Sequence, residues 1–317
     1  MKYVRLFRAV NLLIIALTII SMRYGIIMPL FSKVGLSVQM PICDFCLMIL
    51  ATLAIGAAGY AINDYFDQKI DAINRPSRVV VGKGVSRRFA ILSHSVLNIV
   101  GLLIGLFLAY RVGIWWVAVV YFAVTAIFWF YSLSLKKSGL LGNIAVSSMA
   151  FLVPFQVALY EFAWYLKLNG NFPDDIGTLN TMKFAFYTVL VFSVFAFLTN
   201  FIREVTKDFE DIKGDARYLR RSLPIVLGPN KAKWIVQIVT LVIILLVSVL
   251  CVLYLSKDPY FIVYAIYLTL FIIIPLFFVI YRTHKAREAK QYSLSGKIIK
   301  FVMLTGILFP FMFGLLQ

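Results

Sequence analysis

Nine apolar stretches of about 20 residues each run along the chain, and polar segments separate them. They fall near residues 9–28, 44–63, 89–110, 113–132, 142–163, 182–202, 232–255, 259–281 and 297–316. A bilayer core of about 30 Å takes roughly 20 residues of helix. A helix also satisfies its own backbone hydrogen bonds inside lipid. The pattern therefore predicts an all-α polytopic membrane protein of about nine transmembrane helices. It leaves no length for a separate soluble domain, so residues 1–317 read as one transmembrane domain.

Composition agrees: 62% of residues are apolar and only 14% charged, where a soluble domain carries about a quarter. The net charge of +17 would suit a nucleic-acid binder, but its distribution argues otherwise. Of the 31 Lys and Arg residues, 25 fall on the N-terminal segment and the loops after the second, fourth, sixth and eighth spans. By the positive-inside rule that side is cytoplasmic, with the C-terminus outside. The N-terminus (Lys2, Arg5, Arg8, then an apolar run) has the outline of a signal peptide. No small-residue cleavage site follows, so the first span is expected to stay. Cys43, Cys46 and Cys251, with only two histidines, read as structural thiols.

Against this background two acidic stretches stand out. Asp64-x-x-Asp67-x-x-x-Asp71 follows the second span and Asp208-x-x-Asp211-x-x-x-Asp215 follows the sixth, each aspartate displaced by 144 positions. Together they hold six of the fourteen carboxylates. Both lie on the basic side, where a span runs out into a loop of about 25 to 30 residues, far above the usual 2–8 for helix connections. The offset suggests an internal duplication, with pseudo-repeat halves of about 1–140 and 141–317. Transporters carry such repeats too. A transporter, however, predicts acidic residues at mid-membrane depth, and only Glu161 sits near a span elsewhere.

Positions i, i+3 and i+7 share one helical face. If each span continues a turn or two, each motif becomes an acidic stripe, and two facing stripes repel unless they share a cation. Carboxylate oxygens select Mg²⁺ or Mn²⁺, and Mg²⁺ completes its shell with substrate phosphate. Arg75, Arg78, Lys83, Lys136, Lys137, Arg203 and Lys207 would help neutralise a diphosphate leaving group. Asn11 and Asn200 are polar groups near membrane depth, which makes them candidates for function or for bonds between helices.

Asn63-Asp64-x-x-Asp67-x-x-x-Asp71 with the later Asp208-x-x-Asp211-x-x-x-Asp215 resembles the UbiA superfamily of intramembrane prenyltransferases. The resemblance covers essentially the whole chain. It implies metal–diphosphate roles for Asn63 and the six aspartates, and donor-phosphate contacts for Arg75 and Lys136 or Lys137. Arg8 and Asn11 match the polar pair that the family places beside the site. The implied reaction ionises an allylic isoprenoid diphosphate, with aromatic side chains shielding the carbocation; Tyr131 is the aromatic candidate. Local wording is similar to the digeranylgeranylglyceryl-phosphate synthase branch: Asn74-Arg75-Pro76, Leu135-Lys-Lys-x-Gly139-Leu-x-Gly142-Asn143 and Arg203-Glu204-x-x-Lys207. Val79-Val80-Val81-Gly82 and Ser222-Leu223-Pro224 depart from that branch near the phosphate end. The implied acceptor is lipid-soluble, a prenylglyceryl phosphate, with an aromatic quinone precursor as the alternative.

Overall fold

The computed structural model describes residues 2–77 and 79–317. Among the described residues there is no strand, only an isolated bridge between Val81 and Val85. A short α1 (Lys2–Leu6) leads into nine helices that, among the described residues, are long and apolar enough to cross a membrane. These are α2 (Ala9–Ser32), α3 (Ile42–Asn74), α4 (Arg87–Val112), α5 (Trp116–Leu133), α6 (Leu140–Asn169) and α7 (Ile176–Arg217), followed by α9 (Pro229–Leu255), α10 (Phe261–Lys285) and α11 (Ala289–Leu316). The short α8 (Leu223–Leu227) lies between α7 and α9. The chain is an integral membrane protein of all-α class, as its apolar pattern predicts.

The largest departure from that pattern concerns the long loops. They are mostly helix. α3 runs through Asp71 to Asn74, and its 33 residues extend about 50 Å at the helical rise, well beyond a bilayer core. α7 runs through Asp215, and its 42 residues extend about 63 Å. Nothing in Asp-Tyr-Phe-Asp-Gln-Lys-Ile-Asp breaks a helix. The break comes at Arg75 (φ −147°), because the residue before a proline, here Pro76, is pushed out of the helical region.

The chain forms two compact units. The first runs through Leu135 and adds Leu152–Leu190; the second comprises Lys136–Phe151 and Val191–Gln317. In the first unit α3 packs along α4 at close range. A Cβ on Gly101 would lie 2.6 Å from Ile55 Cγ1 and 3.2 Å from the Ala51 carbonyl oxygen, so only glycine permits this approach. Ser86 caps α4 by accepting from the Phe89 N–H at 3.1 Å. Asp175 caps α7 by accepting from the Thr178 N–H at 2.7 Å, and that bond holds its carboxyl below the usual carboxylate range.

At the end of α2 away from Arg8, Glu161 is fully buried and pairs with Arg23 at 3.1 Å. It also accepts from the Gln39 and Met40 N–H groups at 2.8 and 3.0 Å, while Arg23 donates to the Met40 carbonyl and lies over the Phe45 ring. A buried carboxylate with an ion pair and two backbone bonds on Oε2 is a structural lock on the segment leading into α3. Asp44 and Arg111 form a second ion pair in the same unit, at 3.2 Å.

In the second unit Val205, Phe209 and Ile212 of α7 pack into a core with Val236, Leu276 and Ile299 from α9, α10 and α11. Phe209 stacks on Tyr292, ring centroids 4.3 Å apart. Burying that face of α7 fixes the helix in rotation. The adjoining face then carries Glu204, Asp208, Asp211 and Asp215.

Candidate active site

The first acidic stripe is built on the tail of α3. Asp64, Asp67 and Asp71 follow one another along the helix; Asp67 is 3% exposed, while Asn63, Asp64 and Asp71 are half-buried. Beneath them Leu6, Ala61, Val81, Val85 and Ala90 form a small apolar cluster, with Tyr65 packed against it. This cluster ties α1 and the α3–α4 loop to the tail of α3. It also sets the position of Arg8, between α1 and α2. Arg8 takes a left-handed backbone conformation (φ 49°, ψ 55°), which for a non-glycine residue costs about 1–2 kcal/mol. From there its Nη2 donates to Asp64 Oδ1 at 2.8 Å, and its guanidinium lies 4.8 Å from the centre of the Tyr60 ring.

Other expected residues of this unit have mixed placements. Asn11 is half-buried in the first turn of α2, its N–H bonded to the Arg8 carbonyl at 2.8 Å. Arg75 closes α3 by donating its N–H to the Asp71 carbonyl at 2.8 Å. Lys83 turns back to the Pro76 carbonyl at 3.3 Å. Tyr131 is buried near the end of α5. Arg78 lies outside the described residues. Aromatic rings adjoin the stripe: Phe66 meets Tyr65 and Trp129 edge-on, and Trp129 stacks on His94.

The second stripe is built on the tail of α7. Arg203 donates to Asn200 Oδ1 at 3.2 Å and to Glu204 Oε1 at 2.8 Å. Lys207 stands close enough for its charge to act on Asp208 and Asp215, and Lys136 close enough to act on Asp215. Lys137 is exposed in the single 3₁₀ turn before α6. Asp215 also faces Arg220 at 3.7 Å, and Asn143 donates to Asp208 Oδ2 at 2.9 Å.

Asn143, Glu204 and Arg220 are contacts that the sequence reading did not single out as site residues. The available signals were the Gly139-x-x-Gly142-Asn143 wording beside two lysines and the Arg220-Arg221 pair closing a basic run.

Among the described residues, no three His, Cys, Asp or Glu side chains gather into a ready-made metal cage. The donor set nevertheless fits Mg²⁺. This ion is held by one or two carboxylates with waters and substrate phosphate rather than by a dedicated protein cage, and each tail offers carboxylates bordered by cations.

The sequence matches that of the UbiA prenyltransferase family over residues 9–304. The chain belongs to this family. It is therefore a prenyltransferase, and the UbiA assignment suggested by the two aspartate motifs holds. A digeranylgeranylglyceryl phosphate synthase from Thermococcus gammatolerans is 31% identical to this UbiA chain over 212 residues, 67% of each protein. One from Methanobrevibacter smithii is 28% identical over 270 residues, covering 84% of this chain and 86% of the relative. Among solved structures, a digeranylgeranylglyceryl phosphate synthase matches with a TM-score of 0.64 at 21% identity over 98% of both chains. A UbiA homologue from Archaeoglobus fulgidus bound to DMAPP and Mg²⁺ matches with a TM-score of 0.58 at 15% identity, over 98% of this chain and 99% of that one. At these identities the structural matches speak for the fold.

Proposed function

We propose that this prenyltransferase moves a prenyl group from an isoprenoid diphosphate, geranylgeranyl diphosphate in the first instance, to the hydroxyl of a prenylglyceryl phosphate. In the reaction the allylic C–O bond breaks, pyrophosphate leaves with the electron pair, and the acceptor oxygen forms the new ether bond as its proton is lost. The observation that carries this reading is the pair of aspartate tails, each with cations within reach, in a chain whose relatives over two thirds or more of its length are digeranylgeranylglyceryl phosphate synthases.

Mg²⁺, when bound, supplies positive charge to the leaving diphosphate. Asn63, Asp64, Asp67 and Asp71, with Asp208, Asp211 and Asp215, are the residues proposed to hold it. Arg8, Arg75, Lys136, Lys137, Arg203 and Lys207 are proposed to bind and orient the phosphates, as electrostatic stabilisation of a developing anion requires. Tyr131 and the Phe66–Trp129 pair offer aromatic faces to a developing carbocation. Asn11 and Asn200 supply polar contacts at the ends of their spans. The charge asymmetry of the loops supports placing these tails and the N-terminus on the cytoplasmic side.

The test is product identification. Purified protein is given Mg²⁺, geranylgeranyl diphosphate and a mixture of a geranylgeranylglyceryl phosphate and quinone-precursor aromatics, and products are read by mass spectrometry. A doubly prenylated glycerol phosphate as the main product supports the proposal. Prenylation of the aromatic acceptors alone overturns the acceptor.

A further inference from the structure

Asp64 and Asp208 open the two motifs at equivalent positions, yet their hydrogen-bond partners differ in charge. Asp64 faces the guanidinium of Arg8 at 2.8 Å. Asp208 accepts from the neutral amide of Asn143 at 2.9 Å. Asn143 is only 5% exposed, and its placement is built into the fold. Gly139 turns the chain with φ +58°, and a Cβ there would lie 2.6 Å from the carbonyl oxygen of Arg221. The turn is thus pinned against the segment that follows α7, and Asn143 follows one helical turn later. The Ser147 hydroxyl then donates to the Asn143 carbonyl at 2.7 Å, within α6.

The two kinds of partner do different work. A cation beside a carboxylate cancels charge and competes with any further cation. A neutral donor orients the carboxylate and leaves its charge intact, as the outer partners of metal ligands commonly do. We infer that Asn143 is a positioning residue for Asp208: its amide fixes Oδ2, so that Asp208 meets a metal-bound diphosphate in one orientation. The inference rests on the proposed role of Asp208 in holding the metal.

The test uses the full chain in nanodiscs, with Mn²⁺ and inorganic pyrophosphate as the probe. Binding is read by electron paramagnetic resonance and folding by thermal unfolding. Asn143→Leu and Asn143→Ala each weaken Mn²⁺ binding by about tenfold to a hundredfold in a chain that still unfolds cooperatively. In an Asp208→Ala background, adding Asn143→Leu weakens binding no further, because Asn143 acts through Asp208. A folded Asn143 variant with parental affinity, beside an Asp208→Ala that binds poorly, overturns the inference and leaves the role of Asp208 standing. Full additivity of the two losses overturns it as well. Parental affinity in Asp208→Ala itself overturns the role of Asp208, and the inference falls with it.

Discussion

Arg8 reaches Asp64 at 2.8 Å from a backbone held in the left-handed region. That conformation is unfavourable for arginine, and the ion pair and the Tyr60 ring hold it in place. Strain kept at one residue and offset by contacts to a candidate ligand is a recurring mark of functional sites.

Arg8 therefore separates stability from activity. Arg8→Gly relieves the backbone and is more stable than Arg8→Ala by about 1 kcal/mol. Both lose the guanidinium, so both lower turnover by about a hundredfold, the usual loss on removing one stabilising donor. Thermal unfolding in detergent and steady-state turnover check the two halves of this expectation. Restored turnover in Arg8→Gly would show that only the backbone mattered.

Glu161 offers the converse case. Glu161→Ala leaves the buried Arg23 guanidinium without its counter-charge, which costs about 3–5 kcal/mol. Arg23→Met combined with Glu161→Leu recovers only part of that loss: it removes the unpaired charge but leaves the Gln39 and Met40 N–H groups without their acceptor. Thermal unfolding of the single and double variants tests this, and prenyl transfer by the folded double variant stays near the parent value. A double variant less stable than Glu161→Ala contradicts the lock.

Gly139 joins the fold to the second stripe. Gly139→Ala forces a Cβ into a left-handed turn at a cost of about 1–2 kcal/mol, and the overlap with the Arg221 carbonyl adds about 1–3 kcal/mol. The turn carries Lys136 and leads to Asn143, so turnover falls together with Tm. Unfolding and activity measured on one preparation show the two dropping in parallel.

Much of this architecture is legible in the sequence because lipid imposes a coarse rule. Runs of apolar residues long enough to span it are conspicuous, and loop charge is one-sided. The aspartates were legible for the opposite reason: six carboxylates in two matching words are rare in so apolar a chain. Helix ends were harder. Apolar length marks where a span leaves lipid, but α3 and α7 stop only where Pro76 and the residues after Arg217 force them to. Tertiary partners were hardest. The bonds of Asn143 to Asp208 and of Arg23 to Glu161 join residues 65 and 138 positions apart, and no local pattern announces them.

The central claim is Mg²⁺-dependent prenyl transfer through both aspartate tails. The most direct measurement is transfer of a labelled prenyl group from geranylgeranyl diphosphate to a prenylglyceryl phosphate by purified protein, with and without chelator, for the parent, Asp67→Ala and Asp211→Ala. The account predicts labelled ether product only with Mg²⁺, and a loss of at least about a hundredfold in each variant. Equal product after chelation, or full transfer by both aspartate variants, would contradict it.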